Sequence, residues 1–162
     1  MKITFKGNPI TLEGNILEVG DSAPDFLVSD NSLAPMGLKD TSGKRVFVSV
    51  PSIDTSVCDM EVRRFNEEAT KMKDVSIYLI SMDLPFAQTR WCGNAGIEAV
   101  KTVSDYKDRS FGQSYGTYIK ELGLLTRAVF VIDENNKITH IEYCEEVTKE
   151  PDYDKVLQAL NI

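Results

Sequence analysis

Cys58 is the residue in this chain best placed for chemistry. It closes the run Pro51-Ser-Ile-Asp-Thr55-Ser-Val-Cys58, after an apolar stretch (Val-Phe-Val-Ser-Val, 46–50) and before a segment of helical period. A thiol at the start of a helix meets outward-pointing backbone N–H groups and the positive end of the helix dipole, both of which favour negative charge. The thiolate is the nucleophilic form. An ordinary thiol near 8.5 is only about 3% ionised at pH 7, and full ionisation would gain about thirtyfold. A larger acceleration therefore needs groups that stabilise charge on the atoms being attacked.

Two side chains fit that need. Thr55 lies three residues before Cys58, close enough in a strand-to-helix turn for its hydroxyl to reach the sulfur or a bound oxygen. Arg127 stands immediately before the apolar run 128–132, at a sheet end able to face the same turn, and its guanidinium offers a permanently charged fork of donors. Pro51 has no N–H, fixes the strand exit and can shield the sulfur from water. Alone, such a threonine is an N-cap and such an arginine a surface charge. Their combination with Cys58 is what points to a reactive thiol.

The elements that must position these residues follow from periodicity. Ile3-Thr-Phe5 and Ile10-Thr-Leu12 alternate about Gly7-Asn8-Pro9, which predicts an N-terminal hairpin within residues 1–14. Residues 29–44 are rich in turn formers and are expected to be irregular. Residues 46–50 and 75–82 are buried strands by composition. Between them Val62, Phe65, Ala69 and Met72 recur at three- and four-residue steps, an amphipathic helix with Asp59 and Glu61 in its first turn. A short helix begins near Pro85 and is expected to end at Gly93, just after Cys92. A strand is expected at 100–103 and a helix over 110–122. The strands 128–132 and 137–143 are joined by only Asp133-Glu-Asn-Asn136, hence an antiparallel hairpin. Pro151 opens a last helix carrying Val156, Leu157 and Leu160 on one face. This order implies an α/β fold, a mixed central sheet flanked by helices with an N-terminal β-hairpin extension, which is the thioredoxin-like arrangement. With no repeat or linker, residues 1–162 are expected to form one domain.

Composition narrows the partners. The net charge is −7 and the pI near 4.8, which argues against nucleic acid and an anionic membrane surface. No stretch is long and apolar enough to span a membrane. The first residues carry no apolar segment with a cleavage site, so a reducing, cytoplasmic setting is expected. Three cysteines (Cys58, Cys92 and Cys144) cannot all pair within one chain. With His140 they lack the short Cys-x₂₋₄-Cys steps of structural zinc sites, so neither metal nor cofactor is expected.

The string Pro51-x-x-x-Thr55-x-x-Cys58 resembles the peroxiredoxin motif. Together with Arg64-Phe-Asn-Glu-Glu68, Ser81-Met-Asp-Leu-Pro-Phe-Ala-Gln88, Arg90-Trp-Cys92-Gly, Arg127-Ala-Val and Glu150-Pro-Asp-Tyr153, it is similar to the bacterial thiol peroxidase branch over essentially the whole chain. The resemblance implies that Cys58 is the peroxidatic cysteine and Cys92 the resolving one. It also implies that Thr55 and Arg127 activate the peroxide, that thioredoxin is the reductant and that the protein is a homodimer. In such chemistry Cys58 takes one peroxide oxygen as a sulfenic acid, which a second thiol condenses into a disulfide. Cysteines on two separate helices need local unwinding to meet, since a bridge requires Cα atoms within about 7 Å. The first turn after Thr55 and the last turn before Gly93 are expected to unwind.

Cys144 reads as a partly buried residue on the face of Ile138, His140 and Glu142, with an alternative resolving role open. Phe86 and Trp91 can line an apolar entrance for organic hydroperoxides. A disulfide oxidoreductase should carry Cys-x-x-Cys, but residue 61 is Glu, and no proline immediately precedes the strand at 128. A peroxide sensor without efficient turnover would share the first chemical step, so only catalytic turnover separates it from an enzyme.

Overall fold

In the computed structural model, residues 1–160 are described. In chain order the strands and helices are β1 (Ile3–Phe5), β2 (Asn8–Ile10), β3 (Leu12–Glu13), β4 (Leu27–Ser29), β5 (Pro35–Gly37), β6 (Lys44–Ser49), α1 (Ser56–Lys71), β7 (Val75–Ser81), α2 (Pro85–Ala95) and β8 (Val100–Ser104). There follow α3 (Ser110–Tyr115), β9 (Tyr118–Ile119), β10 (Leu124–Leu125), β11 (Ala128–Ile132), β12 (Ile138–Tyr143) and α4 (Tyr153–Ala159).

Seven strands form the main sheet, in the order β12-β11-β6-β7-β8-β4-β5. β6, β7 and β8 run parallel because α1 and α2 carry the chain back between them. β11 joins β6 antiparallel, and β12 closes that edge as the expected hairpin. Both faces of the sheet are covered, so alternate residues of one strand enter different cores. Val46, Val48, Ile77, Leu79, Val129 and Val131 pack with Cys58, Val62 and Phe65 of α1 and Val156 of α4. Phe47, Tyr78, Ile80 and Phe130 face the other way, with Phe26, Phe111 and Tyr115. The mixed sheet flanked by helices is thus as the sequence implies.

Several boundaries differ. The hairpin turns at Lys6–Gly7, not at Gly7-Asn8-Pro9: Phe5 pairs with Asn8 and Ile3 with Ile10. Lys6 and Gly7 both take positive φ (51° and 81°), the conformation that matches the twist of a two-residue hairpin. Pro9 is tolerated because this ribbon is only two strands wide. Leu12 belongs instead to β3, which pairs with β9. The stretch 29–44 contains β5, an edge strand, and a 3₁₀ turn at Leu38–Asp40. Gly93 lies inside α2, and the stop is Gly96, whose φ of 70° only glycine adopts freely. The helix at 110 ends at Tyr115, not Leu122. Gly116 has φ 65°, and a Cβ there would come within 2.5 Å of the Asn15 carbonyl oxygen. The last helix begins at Tyr153, capped by Asp152 rather than opened by Pro151.

Candidate active site

The turn between β6 and α1 builds the site. Thr55 is the N-cap of α1, extended at φ −95° and ψ 150°, and its hydroxyl accepts the backbone N–H of Cys58 at 3.2 Å. Its hydroxyl therefore caps the helix on the cysteine's own amide, which fixes where Cys58 sits. Pro51 and Cys58 are both buried, with no solvent-exposed surface on Cys58.

Arg127 arrives from the other side of β6. Because β11 pairs with β6 with Ala128 opposite Ser49, the residue just before β11 lies beside the turn that leaves β6. The guanidinium spends its donors on three partners. Nη2 donates to the Cys58 sulfur at 3.0 Å, Nε to the Val147 carbonyl at 2.7 Å, and Nη1 to Glu61 Oε2. Burial works against the arginine's charge, but the acidic groups Glu61 and Cys58 outweigh it and raise its pKa. The guanidinium is thus held charged and immobile against the sulfur.

Glu61, expected with Asp59 only as a first-turn charge of an amphipathic helix, joins Arg127 and Cys58 in this cluster. It is fully buried. Its position was legible, since 58, 61, 62, 65 and 69 share one face of α1, and a carboxyl on that apolar stripe requires a buried partner. Burial pushes its carboxyl up to about 7, against the pull of Arg127. Its Oε1 makes no hydrogen bond, which leaves the arginine as its support and lets desolvation prevail.

Cys92 sits on α2, half-buried against the same core that holds Cys58. Its sulfur lies 3.7 Å from the Thr102 hydroxyl of β8. Burial pushes this thiol up, with Thr102 opposing the shift. Cys58, Cys92 and Cys144 are all free thiols. Cys144 follows β12, its N–H bonded to the Arg127 carbonyl and its sulfur 3.7 Å from Glu142 Oε2. Burial first, then the neighbouring carboxylates, raise its pKa strongly, which makes it a poor nucleophile. Of the two aromatic candidates for an entrance, Phe86 is exposed beside Leu84. Trp91 is half-buried under the Arg63 guanidinium, 5.9 Å from its ring centre.

The arrangement is a sulfur fixed at a helix N-terminus with a guanidinium N–H on it. The chain as a whole is similar to known proteins in sequence and in fold. The Redoxin family model matches residues 18–157. A thiol peroxidase of Clostridium acetobutylicum is 60% identical over 98% of this chain and 97% of its own length. A thiol peroxidase of Bacillus subtilis is 57% identical, over 98% and 95% respectively. A solved peroxiredoxin-like protein from Aquifex aeolicus superposes with a TM-score of 0.92 at 38% identity, covering 99% of this chain and 95% of that one.

Proposed function

This chain belongs to the Redoxin family as one of its thiol peroxidases, and we propose that Cys58 is the sulfur its peroxide substrate oxidises, with Cys92 the thiol that resolves the product. The observation that carries this reading is the 3.0 Å contact from Arg127 Nη2 to the Cys58 sulfur. The sulfur attacks one peroxide oxygen as the O–O bond breaks. The other oxygen leaves with a proton as water, or as an alcohol from an organic hydroperoxide, and Cys58 becomes a sulfenic acid. Arg127 keeps fixed donors where charge moves from sulfur to the departing oxygen, the placement that lowers a barrier most. Thr55 holds the cysteine's backbone, and the buried Pro51 brings no N–H donor of its own and helps keep water from the sulfur. Since Cys58 is sealed from water, a peroxide enters as the 51–55 turn and the first turn of α1 part.

The Cys92 thiol then displaces the hydroxyl of the sulfenic acid. An S–S bond forms, the S–O bond breaks, and water leaves. Several features favour Cys92 over Cys144. Gly93 inside α2 and the left-handed Gly96 make the end of that helix cheap to unwind. Unwinding also releases Cys92 from the burial that now suppresses its ionisation. Cys144 is suppressed by burial first and then by the carboxylates beside it, and no such glycines flank it.

The resulting disulfide is a substrate for thioredoxin, and the working form is a cytoplasmic homodimer. The exposed apolar side chains Leu84 and Phe86 give a partner surface to cover. Among the described residues no helix is long and apolar enough to cross a membrane. The test is peroxide consumption coupled to thioredoxin and its reductase. Wild type turns over and Cys58→Ser does not; equal turnover in the variant removes the assignment, and a single stoichiometric oxidation without turnover would make the protein a sensor.

A further inference from the structure

Asp83 lies between the two cysteine-bearing segments, and its carboxyl group ties them together. Oδ1 accepts the Ser52 hydroxyl at 2.8 Å, and Oδ2 accepts the Ile53 N–H at 2.9 Å, both from the turn that precedes Cys58. Oδ2 also accepts the Ser81 hydroxyl at 2.7 Å, and the Asp83 carbonyl accepts the Ser104 hydroxyl. Ser81 in turn receives Gln88 Nε2 at 3.0 Å, and the same amide nitrogen donates to the Val103 carbonyl at 2.8 Å.

Gln88 stands one helical turn ahead of Cys92 on the same face of α2. With Pro85 it is one of the two buried residues of that helix, and its Oε1 has no partner. An amide buried for packing alone would be a poor choice here, because the orphaned acceptor costs more than an apolar side chain of similar length. The two bonds from Nε2 are what the residue supplies. Beyond Gln88 the helix has no fully buried side chain. The chain is next fixed at Ile97, which is in the core, and at Ala99, whose N–H bonds Asn66 of α1 at 2.9 Å.

We propose that Gln88, held through Ser81 by Asp83, is a pivot that stops the unwinding of α2. It makes Gln88 and Asp83 positioning residues for disulfide formation. The stretch 89–96 then moves on a short arm between fixed points at Gln88 and Ile97. The 51–53 turn stays tied to the base of α2 while Cys58 departs from its helix. This rests on Cys92 being the resolving thiol. The pivot limits how far α2 opens and confines the search of Cys92 to a short loop. The Gln88 bonds persist in the opened form, so losing them does not cheapen the opening of 89–96. It lets unwinding run past residue 88, which adds the ordering of further residues and a longer loop to the cost of closure.

Two measurements test this. The first is amide exchange of the wild-type protein as dithiol and as disulfide. The Gln88 N–H, bonded to the Leu84 carbonyl at 3.1 Å, stays slow in both forms, while amides from 89 to 96 become fast in the disulfide. Loss of protection through Gln88 as well overturns the pivot. The second uses Gln88→Met, which keeps bulk and removes both bonds. Rapid-mixing rates should give a resolving step about three- to tenfold slower than wild type. More Cys58 should then be driven by a second peroxide to the sulfinic acid, which gains one more oxygen as that peroxide leaves as water. An unchanged or faster resolving step overturns the proposal. Peptide mapping separates the two levels: absence of any Cys58–Cys92 bridge in oxidised wild type removes the resolving assignment and the pivot together, whereas a bridge with unchanged kinetics and exchange removes the pivot alone.

Discussion

Arg127 and Cys58 are 69 residues apart in sequence and 3.0 Å apart between Nη2 and sulfur. The antiparallel pairing of β11 with β6 makes that contact, and Glu61 and Val147 hold the guanidinium so that it cannot swing away.

Replacing Arg127 should therefore damage the first chemical step most. Arg127→Lys keeps a charge but cannot reach three partners at once, and Arg127→Ala removes the donor altogether. Loss of one preorganised donor costs about 10²- to 10³-fold. Stopped-flow oxidation by peroxide, followed through the lone tryptophan Trp91 beside Cys92, should show that drop in both variants. A rate within a factor of a few of wild type would mean the arginine is structural.

Thr55→Val removes the cap on the Cys58 amide while keeping the branched shape. Urea unfolding should register a loss of about 1 kcal/mol, and the peroxide step should slow because the sulfur is no longer fixed. Thr55→Ser should recover both. A variant with full activity and reduced stability would separate the cap from catalysis.

Glu61 makes stability depend on pH. Its carboxyl is pushed up to about 7 by burial, so the folded state holds this proton more tightly than the unfolded chain does. Its contribution is intact below the ordinary carboxylate range and is lost as pH rises towards the folded value. Asp105, pushed up to about 6 mainly by burial, adds a slope of the same sign. Denaturant unfolding between about pH 4 and about pH 8 should show wild type losing stability relative to Glu61→Gln. Parallel curves would place the Glu61 proton elsewhere.

Local opening is the fourth expectation. Amides at the start of α1 and the end of α2 should exchange faster in the disulfide than in the dithiol form, because neither cysteine can leave its helix without breaking backbone bonds. Equal protection in the two forms would deny that these segments unwind.

How far the sequence carried this picture depends on the range of each interaction. Cys58, Thr55 and Pro51 were legible because their relation is local, a cap three residues from the residue it caps. Arg127 was legible as a type at a strand start, though its distance to sulfur needed the register of β11 on β6. Glu61's place in the cluster was missed because its charge was weighed above its helical position. The Ser52–Asp83–Ser81–Gln88 chain left no periodic trace, since its members come from a turn, a strand end and a helix that only folding brings together. The boundaries that moved, at Gly96 and Gly116, were set by positive φ and by close backbone approach, which glycine permits but does not announce.

The central claim is that one peroxide oxygen goes to Cys58 and that Cys92 removes it. Intact-mass and peptide analysis after one equivalent of hydrogen peroxide tests both halves. Cys92→Ser should gain a single oxygen on Cys58, and wild type should instead lose two hydrogens and yield a Cys58–Cys92 cross-linked peptide. Oxygen found first on Cys92 or Cys144, or a wild-type bridge that omits Cys58, would contradict the account.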